Sequence, residues 1–215
     1  ATYLGIENWG DNFKMKCFGR WFGKQAKAVR PDATINWSSF GIEAIGATPH
    51  ARHVIVRDSA HILFQIEVLK PAFKKFGKTF PDRSFCVSRE LEEYRLADVI
   101  VVPSEFAKRT FVERSIAADK VFVLPLSADL KVFTAQERKP ARLPLRIVYF
   151  GNITIQKGVP FLLEATKDFS PDEIVLELIG TVGPEMKGVL SQYSHFKLRP
   201  SMSQSDLNEV LHNQD

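Results

Sequence analysis

The stretch that most constrains this chain runs from Leu145 to Ala165, Leu-Arg-Ile-Val-Tyr-Phe-Gly-Asn-Ile-Thr-Ile-Gln-Lys-Gly-Val-Pro-Phe-Leu-Leu-Glu-Ala. It opens with an apolar run rich in β-branched and aromatic residues, the pattern of a strand buried on both faces. The run stops at Gly151, and a short polar loop leads to Lys157 and Gly158. Val159, Phe161, Leu162, Leu163 and Ala165 then form a helical stripe, with Pro160 in its first turn. Strand, glycine-bearing loop and helix is how an open α/β sheet turns backbone N–H groups and a positive helix end toward a phosphate. Lys157 adds a full cationic charge there. On spacing alone an ordinary β–α turn with a solvated lysine fits equally well, because this is neither a P-loop nor a dinucleotide fingerprint.

The rest of the chain alternates in the same way. Phe18–Arg30 reads as a weak amphipathic helix stopped by Pro31, and 33–37 as a strand. Ser38–Gly41 is then a loop and 42–47 the start of a helix, with Ser38 or Ser39 as its N-cap. His53–Arg57 is the next strand, and this pitch predicts a parallel, doubly wound sheet. Residues 62–80 form a Phe- and Lys-rich segment that Pro71 breaks or kinks. Ser88–Ala97 reads as a helix capped by Ser88, with Leu91, Tyr94, Leu96 and the stem of Arg95 facing inward. Asp98–Val102 is a strand, Glu105–Arg114 a helix, and Val121–Leu124 a short strand. Ala135–Pro144, polar and broken by two prolines, is the expected linker. Beyond the Lys157 loop come a strand over 174–179 ending at Gly180, a helix over Pro184–Tyr193, a strand at 196–198 and a helix over Ser203–His212. Gly180 ends its strand on the same edge as Gly151, so one ligand can touch both. His195 and His212 are expected at the surface without partners.

Composition narrows the class. In 215 residues, 45% hydrophobic and 25% charged, no run of about 18 apolar residues occurs, so no membrane-spanning helix is expected. The first ten residues lack the pattern of a signal peptide. Cys17 and Cys86 are the two cysteines, without a C-x-x-C or a histidine spaced to complete a zinc site; both are expected as reduced thiols of a cytoplasmic protein. Residues 1–139 carry 22 Lys/Arg against 16 Asp/Glu, and residues 140–215 carry 7 against 9. A basic front half invites an anionic partner. Lys70, Lys74, Lys75 and Lys78, interleaved with phenylalanines, fit an anionic membrane surface or equally the wet face of a core helix. Arg57-Asp58-Ser59-Ala60-His61 follows a strand, where open α/β sheets bind ligands. There Arg57 and His61 suit sugar hydroxyls or phosphate, while Asp58 pairing with Arg57 and Ser59 capping the next helix is the plainer alternative.

Several motifs in order resemble one family. Gly151-Asn-Ile-Thr-Ile-Gln-Lys157-Gly158 is similar to the Gly-Arg-Leu-x-x-x-Lys-Gly loop that opens the donor domain of family-4, GT-B-fold retaining glycosyltransferases, with Asn152 where that family has arginine. Ala97-Asp98 through Ser104 matches Ala-Asp-x-x-Val-x-x-Ser. Val121, Pro125, Asp129 and Phe133 match Val-x-x-x-Pro-x-x-x-Asp-x-x-x-Phe, with Ser127 where glycine is usual. The resemblance implies two Rossmann-like doubly wound domains: an acceptor-side domain over 1–136 lacking its first strand, a linker over 137–144, and the first half of a donor domain over 145–215. It implies transfer, with retention, of a sugar from a nucleotide-diphosphate-sugar to a hydroxyl acceptor, with no metal and no nucleic acid. His61 and Lys157 are the implied catalytic residues. Gly151, Asn152, Lys157, Gly158 and Gly180 bind the donor, and Arg57, Ser59 and Ser104 line the acceptor side or cleft. The family's pair of glutamates, eight apart, would follow Asp215, so this stretch alone is expected to be inert. A non-catalytic nucleotide- or polyanion-binding module, or a degenerate transferase, is the alternative that Asn152 favours.

Overall fold

A computed structural model describes residues 9–135 and 142–212, with side chains from Asn12 onward. The boundary expected at 136 and residues 137–141 of the expected linker lie outside the described residues. The chain divides into two compact units, Ala1–Val68 with Pro81–Leu126, and Leu69–Phe80 with Ser127–Asp215.

The first unit runs α1 (Trp9–Val29), β1 (Ala33–Trp37), α2 (Ile42–Ala47), β2 (Arg52–Val56), the start of α3 (Ile62–Lys75), α4 (Ser84–Leu96), β3 (Val99–Val102), α5 (Glu105–Val112) and β4 (Val121–Val123). Helical crossovers between strands leave parallel pairing as the available arrangement. The four strands do pair in parallel, in the order β1-β2-β3-β4. Ile55, Ile100 and Val121 stand side by side across the sheet and are buried against Ile45, Ile62, Tyr94 and Phe111 of the helices. The alternate strand positions are less covered, with Ile35, Trp37 and Phe122 at 71%, 59% and 58% exposure.

The second unit contains β5 (Leu145–Phe150), α6 (Val159–Thr166), β6 (Ile174–Ile179), β7 (Phe196–Arg199) and α7 (Gln204–Leu211), with the parallel order β5-β6-β7. Its core joins Leu176, Leu178, Leu163 and Ile153 to Leu69 and Phe73 from the second half of α3.

Local differences from the sequence reading have physical causes. Helix α1 begins at Trp9, well before Phe18. Gly41 rather than Ser38 or Ser39 precedes α2, and no side chain caps it. Helix α3 continues through Pro71, because Pro71 and Glu67 are both exposed and water can take the carbonyl bond that proline's missing N–H leaves open. Helix α4 starts a turn before Ser88, where Asp82 accepts the Ser84 N–H at 2.9 Å; Ser88 bonds back to the Phe85 carbonyl. Its inward face is Cys86, Arg89, Glu90, Glu93 and Tyr94, while Leu91 and Arg95 are exposed. Strand β5 is not buried on both faces: it borders the described sheet, and Phe150 is 50% exposed. Residues 184–193 hold two short 3-10 turns, Pro184–Met186 and Leu190–Gln192, separated by Gly188 at φ 76°. Ser203 caps α7, accepting the Asp206 N–H at 3.2 Å.

Candidate functional site: two sheet edges

In the second unit the candidate groups meet at the carboxyl ends of β5 and β6. Gly151 and Gly180 have φ of 131° and 148°, a region open to glycine. A Cβ on Gly180 would collide with the Gly151 carbonyl oxygen, so the two loops touch backbone to backbone. Pairing continues beyond the strands: the Gly151 N–H donates to Ile179 O, the Ile153 N–H to Thr181 O and the Gly183 N–H to Ile153 O, each at 2.9 Å. Ile153 and Ile155 are buried and pin the loop from beneath, while Asn152 and Lys157 face solvent. The Tyr149 hydroxyl donates to the Asn152 carbonyl at 2.7 Å.

The helix start differs from the expected phosphate cradle. Gly158 precedes α6 at φ 77°, and Pro160 has no N–H. The Lys157 N–H donates to Thr154 Oγ1 at 3.1 Å, the Gly158 N–H to Ile155 O at 3.0 Å and the Phe161 N–H to Gly158 O at 3.0 Å. These donors are engaged inside the turn. What the loop presents outward is the Lys157 ammonium and the Asn152 amide.

In the first unit Arg57, the residue after β2, is buried. Its Nε lies 3.2 Å from Glu90 Oε2, one terminal nitrogen donates to Gln65 Oε1 at 3.0 Å, and the other is 3.9 Å from Asp58. His61 caps α3 with its own ring: Nδ1 accepts the Leu63 N–H at 3.2 Å, which leaves Nε2 as the protonated nitrogen. The His61 backbone N–H donates to Thr110 Oγ1 at 2.9 Å, and the ring lies 5.0 Å from both Tyr94 and Phe111. Ser59 is half-buried. Ser104 accepts the Ala107 N–H at 3.1 Å as the cap of α5, so its hydroxyl serves the helix.

The polar face of α4 was not read from the sequence as an inner one. Arg89, Glu90, Glu93 and Tyr94 cluster on one helical face together with buried Cys86. That spacing was the available signal. Burial, with the nearby charges of Arg114 and Arg57, pushes His61 down to about 4. Burial, with the neighbouring Glu90, pushes Glu93 up to about 7, against the pull of the Gly41 and Ser39 N–H groups. The two act oppositely on stability. Folded His61 binds fewer protons than unfolded His between pH 4 and its ordinary 6.5, so its contribution is present above 6.5 and lost as pH falls toward 4. Folded Glu93 binds more protons than unfolded Glu between the ordinary 4.5 and about 7, so its contribution is present below 4.5 and lost as pH rises through 7. Across pH 4.5–6.5 they offset. Wild-type urea midpoints are expected to stay level in that window, whereas Glu93→Gln midpoints rise with pH there; parallel profiles would count against the assignment.

Other groups have different roles. His195 Nε2 lies 2.9 Å from Thr166 Oγ1, and His212 Nε2 lies 2.9 Å from the Thr134 carbonyl, so both expected bare histidines are partnered. Two cavities of about 430 and 210 Å³ meet at His195, near the start of β7. That is the edge opposite the Lys157 loop. Lys75 pairs with Glu164 at 2.6 Å and lies 4.8 Å from the Phe161 ring, and Lys78 donates to the Lys187 carbonyl at 2.9 Å. Phe73 is buried and Phe76 and Phe80 pack against the same core, which leaves Lys70 and Lys74 exposed on a helix whose aromatic face is occupied. Among the described residues no group of His, Cys, Asp or Glu is arranged to hold a metal ion, and no helix is long and apolar enough to cross a membrane. Cys17 and Cys86 are not in a disulfide.

The class is α/β, with Rossmann-like parallel sheets of GT-B type. No family model matches the sequence, and no curated protein matches it. Among solved structures, the chain is similar to HepE of Anabaena in complex with UDP-glucose, at a TM-score of 0.63 and 12% identity over 92% of this chain and 54% of that one. It is also similar to the complex of S. aureus MnaA with UDP, at a TM-score of 0.50 and 10% identity over 93% of this chain and 55% of that one. The chain thus spans about half the length of the structures it matches.

Proposed function

We propose that this chain is part of a retaining glycosyltransferase that moves a sugar from a nucleotide-diphosphate-sugar to a hydroxyl acceptor. The observation that carries this reading is the loop over 151–158: locked by the Gly151–Gly180 contact, it offers an exposed lysine at the carboxyl edge of a parallel sheet. A fold of this type accommodates UDP-glucose in HepE and UDP in MnaA. In this reading Gly151, Asn152, Gly158 and Gly180 line the diphosphate, and Lys157 neutralises the charge that grows on it as the sugar leaves. His61, neutral near pH 7, offers Nε2–H to a sugar hydroxyl, with Arg57, Ser59 and Ser104 on the acceptor side. The proposed location is the cytoplasmic side of an anionic membrane, touched through Lys70 and Lys74.

The test is binding rather than turnover. UDP titrated calorimetrically into the 215-residue chain is expected to bind, and Lys157→Ala is expected to weaken it roughly tenfold to a hundredfold, the scale of one charge-assisted hydrogen bond. Equal affinities would remove the donor assignment. Asn152 in place of arginine supports a second reading, a nucleotide-binding module without catalysis. Asn152→Arg then separates them, since a transferase loop gains affinity from a restored bidentate phosphate ligand.

A further inference from the structure

Ser39 sits at φ 74°, a left-handed conformation that serine seldom adopts. All three of its polar groups are held from α4. Its N–H donates to Glu93 Oε2 at 2.6 Å, its hydroxyl to Glu90 Oε1 at 3.0 Å, and its carbonyl accepts from Arg89 Nε at 2.8 Å. Two residues on, the Gly41 N–H donates to Glu93 Oε1 at 2.7 Å. Arg89 is itself fixed by a two-pronged pair with Glu43 of α2, at 2.8 and 2.6 Å. The second oxygen of Glu90 takes the Tyr94 hydroxyl and faces Arg57 Nε. Glu93 and Glu90 are 0% and 2% exposed.

A buried carboxylate carries a large desolvation cost, and apolar side chains would fill the same space at no such cost. Here two carboxylates, on one turn of α4, reach the loop after β1 and the arginine after β2. Both follow strands at the carboxyl edge. A backbone held in a sparse conformation by so many fixed bonds marks a segment whose exact shape matters.

We propose that Glu90 and Glu93 are positioning residues: they hold the Ser38–Gly41 loop in its strained form beside Arg57, so that α4 shapes the acceptor side of the sheet edge. This rests on the reading that the carboxyl edge of the first unit receives the acceptor. Glu93 is faced by Arg89, Glu90 and Tyr94 of its own helix, by Glu43 of α2 through Arg89, and by Arg57 after β2 through Glu90, with His61 beyond Tyr94. Protonating Glu93 removes one acceptor for these N–H groups but also relieves the buried charge, so both amides sense its titration near pH 7.

Amide exchange followed by NMR on the 215-residue chain tests this without nucleotide or sugar, so its outcome is independent of donor binding. At pH 8 the Ser39 and Gly41 amides are expected to be protected. Glu93→Ala should speed both at least tenfold, and Glu93→Gln, with one acceptor oxygen, should speed only one. The amides of Ile55 and Ile100 should accelerate much less than those of Ser39 and Gly41. Unchanged Ser39 and Gly41 amides would overturn the proposal, as would Ile55 and Ile100 accelerating in step, which means global loosening alone. In the wild type the Ser39 and Gly41 amide shifts should move together as Glu93 titrates.

Discussion

Alanine at position 180 is expected to destabilise the second unit by roughly 2–6 kcal/mol, combining about 1–3 for a side chain in a glycine-only conformation with about 1–3 for overpacking. The cause is specific: at φ 148° the new Cβ meets the Gly151 carbonyl, which is itself fixed by the Gly151 N–H bond to Ile179 O. The chain supplies its own reporters. Trp9, Trp21 and Trp37 all belong to the first unit, so tryptophan fluorescence follows that unit, while the amides of Leu176 and Leu178 follow the second. Gly180→Ala should speed exchange at Leu176 and Leu178. Gly46→Ala is the control, since nothing lies within 4 Å of a Cβ there; in the helix it should stabilise by about 0.5–1 kcal/mol. If Gly180→Ala behaves like Gly46→Ala, the backbone contact is not what holds the loop.

The second large effect is at Arg57. Arg57→Met is expected to lower first-unit stability by about 3–5 kcal/mol, because it strands the buried Glu90 carboxylate without its cation. Urea unfolding followed by tryptophan fluorescence reads this directly. Adding Glu90→Gln to Arg57→Met should recover a substantial part, since the double variant buries no unpaired charge. Additive losses would mean that the two side chains do not interact.

That pair also shows where sequence reading stopped. The strands were legible because β-branched runs such as Val99–Val102 have few other uses. The Lys157 loop and the shared edge of Gly151 and Gly180 were legible because strand ends and glycines punctuate the chain. Helix α4 was not. Glu90 and Glu93 look like a wet face until Ser39, Gly41 and Arg57 arrive from distant positions to take up their charge. Strand β5 failed for a related reason: its hydrophobicity is a property of the strand, but burial depends on what lies beside the sheet. The closed donors at the start of α6 follow from Thr154 and Ile155 turning back onto Lys157 and Gly158, a detail no hydrophobic period records.

Helix α3 has a consequence for taking the molecule apart. Its Leu69 and Phe73, with Phe76 and Phe80 behind them, belong to the core of the second unit although most of that unit lies beyond residue 126. Expressing the gene from any start point in the polar stretch before β5 therefore omits two fully packed side chains and exposes the apolar floor they fill. The second unit is not a cassette: neither cutting nor swapping at one junction transfers it whole, and a chimera needs three crossover points, one inside a helix.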